Sequence, residues 1–255
     1  MSDQGDGGTR VEAGAAWSRD LAAILFDLDG TLIAVDQQAN SRLADAVPVR
    51  GKLISTATLR RWIKQLWAWI ETPSNYLLAW SERLGLDTDV VFQADRFRRL
   101  KGLGTSRQSS LMPGATELLG ALRGRYRLAV VTSRSRRAAG QLLAAHGLEA
   151  LFEVVTTRQD TWWLKPHAAP VRRTAQLLGV PTAACLMVGD TVMDMRAAKS
   201  AGARAIGVLS GLGAREELRR GRADLILSEV AELWPLLLPE ASPAVANDLT
   251  GPRRA

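Results

Sequence analysis

Residues 24–32 read Ile-Leu-Phe-Asp-Leu-Asp-Gly-Thr-Leu, an apolar run that ends in two aspartates and then turns at a glycine. The apolar part is typical of a buried β-strand, in which residues two apart point to the same side. Asp27 and Asp29 are therefore expected to project together from the carboxyl end of a strand. Two carboxylates held this close repel each other unless a cation lies between them or one is protonated. The arrangement suits Mg²⁺ and phosphate chemistry.

The composition favours a soluble enzyme with no nucleic-acid partner and no membrane segment. The chain has 255 residues and a formal net charge of +7, carried largely by short arginine runs that we interpret as solvated helix faces. No such run alternates with aromatic residues, as a nucleic-acid groove would require. No apolar run could span a bilayer, and residues 1–16 lack the apolar stretch of a signal peptide. The single cysteine, Cys185, rules out an internal disulfide and favours a reducing compartment, so a cytoplasmic location is predicted.

The chain is predicted to consist of an α/β core, an inserted helical module and two tails. Residues 1–20 and 241–255 are expected to be flexible tails, and residues 21–36 and 111–240 to form the core. Residues 37–110 contain no strand-like run, and their apolar residues recur at steps of three and four, as on one face of a helix. We expect this segment to form an all-α module inserted after the first strand.

Strand-like and helical segments alternate through the core. Strands are predicted at residues 22–27, 128–131, 152–156, 184–188, 205–209 and 225–227, with helices between most of them. This alternation implies parallel βαβ units and a Rossmann-like, doubly wound parallel sheet. Ligands bind such sheets beyond the carboxyl ends of the strands. The rule brings Asp27, Asp29, Thr132 and Asp190 together, because each lies at or just after the end of a strand-like run.

Four short motifs in this arrangement resemble those of the haloacid dehalogenase superfamily, on the phosphatase side, close to phosphoglycolate phosphatases. They occur in that superfamily's order and cover roughly residues 21–238. The motifs are Asp27-Leu28-Asp29-Gly30-Thr31-Leu32, Val130-Val131-Thr132-Ser133, Lys165-Pro166, and Gly189-Asp190-Thr191 with Asp194. The resemblance implies a core of that superfamily's fold, and residues 37–110 would be its helical cap.

The resemblance assigns a role to each aspartate. Asp27 would be the nucleophile that forms an aspartyl-phosphate, because a carboxylate is ionised at neutral pH. Asp29 would protonate the leaving oxygen and later take a proton from the hydrolytic water. Mg²⁺ would be held by Asp27, the backbone carbonyl of Asp29, and Asp190, with Asp194 orienting a metal-bound water or Lys165. For Asp194, a simple role at the start of a helix is the alternative.

The resemblance also implies a phosphate site. Thr132 and Lys165 would stabilise the charge that spreads over the phosphoryl oxygens, and backbone N–H groups near Ser133 would assist them. We assign Gly30 and Thr31 to phosphate binding as well. Asp29 separates phosphatases from the dehalogenases of the superfamily, which lack the second aspartate because halide needs no proton.

Two aromatic residues precede Lys165 and extend the predicted site. Trp163, which follows Trp162, lies on a loop near the site, where an indole could stack on a sugar or base. Packing of these side chains under the loop or against the helical module is the alternative. His146 is interpreted as structural and His167 as a loop residue.

The sequence thus predicts a Mg²⁺-dependent phosphatase that hydrolyses a small phosphomonoester of the sugar phosphate, phosphoglycolate or nucleotide type. A phosphomutase of the same superfamily and a non-catalytic phosphate-binding or regulatory protein are the alternatives. The expected partner is a small phosphorylated substrate, and the expected assembly is a monomer or homodimer.

Overall fold

A computed structural model describes residues 20–34 and 109–238. These ranges contain nearly all of the predicted α/β core. The predicted helical module at residues 37–110 lies outside the described residues, apart from its last two positions, and so do nearly all of the two predicted tails.

The core is built on a six-stranded parallel sheet with the strand order β3-β2-β1-β4-β5-β6. The strands are β1 (Ala23–Phe26), β2 (Arg127–Val131), β3 (Val154–Thr156), β4 (Cys185–Gly189), β5 (Arg204–Val208) and β6 (Leu225–Leu227). The chain moves outward from β1 to β3, crosses back to β4 beside β1, and moves outward again to β6. The crevice between β1 and β4 is therefore the topological switch point of a doubly wound sheet, where such folds bind ligands. The predicted fold class is confirmed for this core.

Six α-helices cover the sheet in the described part of the chain. They are α1 (Ala115–Arg123), α2 (Arg136–Ala145), α3 (Ala169–Leu178), α4 (Val192–Ala201), α5 (Arg215–Arg220) and α6 (Leu233–Leu237). Short 3₁₀ turns lie at Glu149–Leu151, Thr182–Ala184 and Val230–Glu232.

The two faces of the sheet form separate hydrophobic clusters. Ile24 and Phe26 of β1 pack in one cluster with residues of α1, α2 and α6, whereas Ala23 and Leu25 pack in the other with residues of α3, α4 and α5. This alternation explains why β1 is apolar at every position. It also fixes which way the next residues point, because Asp27 continues the alternation just where the apolar run ends.

Helices α5 and α6 have no clear signal in the sequence. Helix α5 reads Arg-Glu-Glu-Leu-Arg-Arg and buries only Leu218, so it lacks an apolar period. Helix α6 contains Pro235 at its third residue, which is tolerated because the first N–H groups of a helix have no intrahelical partner.

Within the described ranges, no helix is both long enough and apolar enough to cross a bilayer.

Candidate active site

The predicted site residues converge at the carboxyl edge of the sheet. Asp27 follows β1, Thr132 follows β2, and Asp190 follows β4. The N–H of Asp27 donates to Val188 O at 2.9 Å, and the N–H of Thr132 donates to Thr156 O at 2.9 Å, so backbone pairing continues one residue past β1 and β2. The side chains are therefore held by the sheet itself and not by flexible loops.

A buried lysine joins two of the aspartates. Lys165 Nζ donates to Asp27 Oδ1 at 2.7 Å and to Asp194 Oδ1 at 2.6 Å. It also donates to Val131 O at 3.1 Å, at the end of β2. The ammonium thus has three fixed acceptors, and the predicted pairing of Lys165 with Asp194 is present in the structure.

Asp194 also caps helix α4. Thr191 is the N-cap residue, and its N–H and hydroxyl donate to Asp194 Oδ2 at 3.1 and 2.5 Å. Asp194 therefore accepts from Lys165 through one oxygen and from the helix start through the other. This reciprocal capping fixes the carboxylate before any ligand is present.

One carboxylate oxygen of Asp190 accepts a backbone hydrogen bond, and the other meets no hydrogen-bond partner among the described residues. The N–H of Leu212 donates to Asp190 Oδ2 at 2.7 Å from the loop after β5. That loop approaches closely: a Cβ added to Gly211 would overlap the Asp190 carboxylate, and a Cβ added to Gly30 would lie 2.7 Å from Asp190 Cγ. Ser210 Oγ donates to Gly30 O at 2.7 Å and ties the loops after β5 and β1 together. These contacts leave room only for glycine beside Asp190.

The arrangement fits a divalent cation. Asp27, Asp190 and Asp194 are all buried, and one carboxylate oxygen from each lies within 4.8 Å of the others. Among the described residues, Asp190 Oδ1 meets no hydrogen-bond partner although it is buried. An unpartnered buried carboxylate oxygen is costly unless a ligand satisfies it. If all three carboxylates were ionised, the ammonium of Lys165, which contacts two of them, would leave an excess of two negative charges among these four described residues. Hard oxygen donors of this kind suit Mg²⁺.

Burial and charge shift the pKa values of this cluster. Burial raises the pKa of Asp27 from 3.8 to about 7, with Lys165 opposing the shift and Asp194 and Asp29 adding to it. Burial, together with the charges of Asp194 and Asp27, also raises the pKa of Asp190 well above its ordinary value. Burial alone would lower the pKa of Lys165, but the two neighbouring carboxylates outweigh it and raise that pKa. A cation between Asp27 and Asp190 would favour their ionised forms.

Asp29 has a different partner from the other aspartates. Arg134 Nε donates to Asp29 Oδ2 at 2.8 Å, and Arg134 Nη2 donates to Asp29 Oδ1 at 2.5 Å. The Asp29 carboxylate lies outside the three-carboxylate cluster, so only its backbone carbonyl stays a predicted metal ligand.

The predicted phosphate-binding residues surround the same strand ends. Thr132 is nearly buried, and its Oγ1 accepts the N–H of Arg134 at 3.2 Å. Ser133 follows it and is half-buried. Gly30 has a φ of +79°, a backbone conformation that residues with a side chain rarely adopt. Thr31 is buried, and its hydroxyl meets no hydrogen-bond partner within the described ranges.

The tryptophans before Lys165 are exposed. Trp162 and Trp163 are 64 % and 57 % accessible. The ring of Trp163 lies 5.6 Å from that of His167, measured between centroids. Substrate contact by Trp163 stays a prediction.

His146 is the C-cap residue of helix α2, and its Nε2 lies 3.1 Å from Ser109 Oγ.

The chain is similar to known hydrolases. A family model described as haloacid dehalogenase-like hydrolase matches residues 21–202. The chain belongs to this family. It is 28 % identical over 221 residues to phosphoglycolate phosphatase of Haemophilus influenzae, covering 83 % of this chain and 96 % of that protein. It is 30 % identical over 222 residues to the plasmid-encoded phosphoglycolate phosphatase of Cupriavidus necator, covering 85 % of this chain and 93 % of that protein.

A solved structure is similar to this chain over most of its length. CbbY from Rhodobacter sphaeroides, determined in complex with phosphate, is 26 % identical and has a TM-score of 0.59. The match covers 84 % of this chain and 96 % of that chain. The chain is therefore an enzyme of a hydrolase family.

Sequence reasoning missed two parts of this haloacid dehalogenase-like site. Arg134 directly follows the Thr132-Ser133 pair, but its contact with Asp29 spans 105 residues and no local pattern indicates it. The loop that holds Asp190 acts through the N–H of Leu212, so its side chains carry no chemical signal. The glycines at 211 and 213, directly after β5, were the one available indication of a close backbone approach.

Proposed function

We propose that the protein is a Mg²⁺-dependent phosphatase that hydrolyses a small phosphomonoester, such as phosphoglycolate, a sugar phosphate or a nucleotide, through an aspartyl-phosphate. The observation that carries the proposal is the buried group of Asp27, Lys165, Asp190 and Asp194 at the switch point of the sheet. The names of the relatives, two of them phosphoglycolate phosphatases, support the substrate class.

In the first step, a carboxylate oxygen of Asp27 attacks phosphorus, and the bond from phosphorus to the ester oxygen breaks. Asp29 gives a proton to the leaving oxygen. In the second step, water attacks the phosphorus of the aspartyl-phosphate, Asp29 takes a proton from that water, and the Asp27 carboxylate is released with inorganic phosphate.

Lys165 and Thr132 support both steps. The Lys165 ammonium lies 2.7 Å from Asp27 Oδ1 and would stabilise negative charge on the transferring phosphoryl group. The Thr132 hydroxyl and backbone N–H groups near Ser133 would donate to the same oxygens, and Gly30 and Thr31 would shape the loop that faces them. The burial of these groups strengthens each interaction.

Asp27, Asp190 and the backbone carbonyl of Asp29 would hold the Mg²⁺, with Asp194 beside them. When bound, the cation supplies positive charge that favours the ionised carboxylates and compensates the phosphate. The unpartnered Oδ1 of Asp190 supports this assignment. The single cysteine supports a reducing, cytoplasmic location, and a monomer or homodimer stays the expected assembly.

Asp27→Asn tests the proposal. The wild-type protein should release inorganic phosphate from members of a panel of 2-phosphoglycolate, sugar phosphates and nucleotides, and EDTA should abolish the release. Asp27→Asn should lower kcat by at least about a thousandfold, because an amide cannot form the aspartyl-phosphate. The exposed residue Asp20 gives a matched control, and Asp20→Asn should retain full activity because asparagine tolerates its left-handed backbone, with φ of +62°.

Three results would contradict the proposal: turnover by Asp27→Asn, wild-type turnover in EDTA, or isomerisation of a sugar phosphate without phosphate release. The last of these would identify a phosphomutase.

A further inference from the structure

Arg134 and Asp29 form an enclosed, two-point ion pair beside the proposed nucleophile. The guanidinium donates to both oxygens of the carboxylate, at 2.8 and 2.5 Å. The two side chains are only 6 % and 15 % exposed. This is the planar, parallel geometry in which arginine fixes both the position and the plane of a carboxylate.

The backbone of Arg134 is itself fixed on both sides. Its N–H donates to Thr132 Oγ1 at 3.2 Å, and its carbonyl accepts the N–H of Arg158 at 3.2 Å. The next residue, Ser135, caps helix α2 by accepting the N–H of Ala138 at 3.3 Å. The guanidinium therefore starts from a rigid point beyond the end of β2 and reaches across to Asp29, the third residue after the end of β1.

Lys165 and Arg134 contact different aspartates. Lys165 contacts Asp27 and Asp194, whereas Arg134 contacts Asp29. Lys165 thus binds Asp27, the proposed nucleophile, and Asp194, which lies beside the proposed metal. Arg134 binds Asp29, the carboxylate that transfers protons in the proposed mechanism.

We infer that Arg134 is a positioning residue, which orients the Asp29 carboxyl toward the ester oxygen of the substrate. The inference rests on the proposed function. Without Arg134, Asp29 would lose two fixed contacts, so its side chain could adopt other conformers, and proton transfer is effective only within hydrogen-bond reach of the leaving oxygen. A carboxyl oxygen has two lone-pair positions, so an Asp29 oxygen that accepts from Arg134 can also carry the proton that passes to the ester oxygen.

Arg134 should matter more for alkyl phosphates than for aryl phosphates. An aryl phosphate such as 4-nitrophenyl phosphate leaves as a stable phenolate and has little need of a proton. An alkyl phosphate leaves as an alkoxide, which must be protonated as the bond breaks. Loss of Asp29 orientation should therefore slow formation of the aspartyl-phosphate selectively for alkyl phosphates.

The experiment measures kcat and KM of the full-length protein with Mg²⁺ for 4-nitrophenyl phosphate and for the alkyl phosphate that the wild type hydrolyses fastest. Arg134→Gln and Arg134→Lys should each lower kcat/KM for the alkyl phosphate by about a hundredfold or more, and kcat/KM for the aryl phosphate by less than about tenfold. This ratio is compared because kcat/KM reports the steps up to the aspartyl-phosphate and not its hydrolysis, which both substrates share. Lysine should fail to rescue because it keeps the charge but cannot contact both oxygens. Arg137→Gln removes a charge from an exposed position of α2 and should leave both activities unchanged.

A double variant tests whether Arg134 acts through Asp29. In an Asp29→Asn background, Arg134→Lys should cause no further loss on the alkyl phosphate, because residues that act as one unit are not additive.

Equal losses of kcat/KM on the two substrates, no loss of kcat/KM on either, or full rescue by lysine would overturn the inference. Unfolding of both Arg134 variants, seen as loss of the cooperative thermal transition, would assign the pair a structural role and overturn it as well. These outcomes are distinct from failure of the proposed function, which would appear as an active Asp27→Asn variant.

Discussion

Lys165 is the residue on which the balance of charge at the site depends. Its ammonium is the partner of two buried carboxylates, and its side chain is only 7 % exposed. Removing one partner of a buried ion pair leaves an uncompensated charge away from water, and such a charge costs more than a lost surface contact.

Lys165→Met should therefore lower the free energy of unfolding by about 3–5 kcal/mol at neutral pH in metal-free buffer. Lys199 offers a matched control, because it pairs with Asp224 in a site where the side chains are 25 % and 33 % exposed. Lys199→Met should cost less than about 1 kcal/mol. Urea denaturation measures both values, and equal losses in the two variants would count against the special role of Lys165.

The residues of the site differ in how far the sequence predicts them. The placement of Asp27, Thr132 and Asp190 follows from a local rule, because each ends a strand and parallel strands end at one edge. The contact of Lys165 with Asp194 is one of the two roles that the resemblance implied for Asp194, whereas the contact of Lys165 with Asp27 was not predicted. The contact between Arg134 and Asp29 depends on sheet order and on side-chain conformers, and neither is encoded within a few residues of Arg134.

At the level of elements, the loop after β5 holds Asp190 through its backbone. The N–H of Leu212 fixes one carboxylate oxygen, and a Cβ on Gly211 would lie 2.6 Å from Asp190 Cβ. The strand itself was predictable from its apolar run. The role of the loop after β5 in the site was not predictable, because a main-chain N–H donor can belong to almost any residue type.

Gly211→Ala should weaken Mg²⁺ binding by about tenfold or more, because the added methyl group displaces Asp190 from its place. A calorimetric titration with Mg²⁺, or the Mg²⁺-induced rise in Tm, measures the effect without an activity assay. Gly140→Ala is the matched control. Gly140 lies within helix α2, and among residues 20–34 and 109–238 an added Cβ there meets nothing within 4 Å apart from the helix's own backbone. That variant should bind Mg²⁺ normally and gain about 0.5–1 kcal/mol of stability. Unchanged Mg²⁺ affinity in Gly211→Ala would contradict the role given to the loop.

At the level of the whole molecule, the buried aspartates link folding to pH and to the metal. In the absence of a cation, the pKa of Asp27 is about 7 in the folded protein and 3.8 ordinarily, and the pKa of Asp190 is also raised. Between these pH values the folded protein holds protons that the unfolded chain has released. The stability gained from protonation is therefore fully present below about pH 4 and is lost as the pH rises toward about 7.

A divalent cation competes with those protons, so its stabilising effect should grow over the same interval. We expect the rise in Tm on adding saturating Mg²⁺ to EDTA-treated protein to be small near pH 5 and several degrees larger near pH 7.5, as a few kcal/mol of linkage implies for a domain of about this size. Asp190→Asn removes one of the linked carboxyls and the unpartnered oxygen together, so its Mg²⁺ response should be small at both pH values. Thermal unfolding followed by circular dichroism measures the Mg²⁺ response of both proteins at both pH values. A Mg²⁺ response that is equal at the two pH values in the wild type, or retained in Asp190→Asn, would mean that the cation binds elsewhere on the molecule.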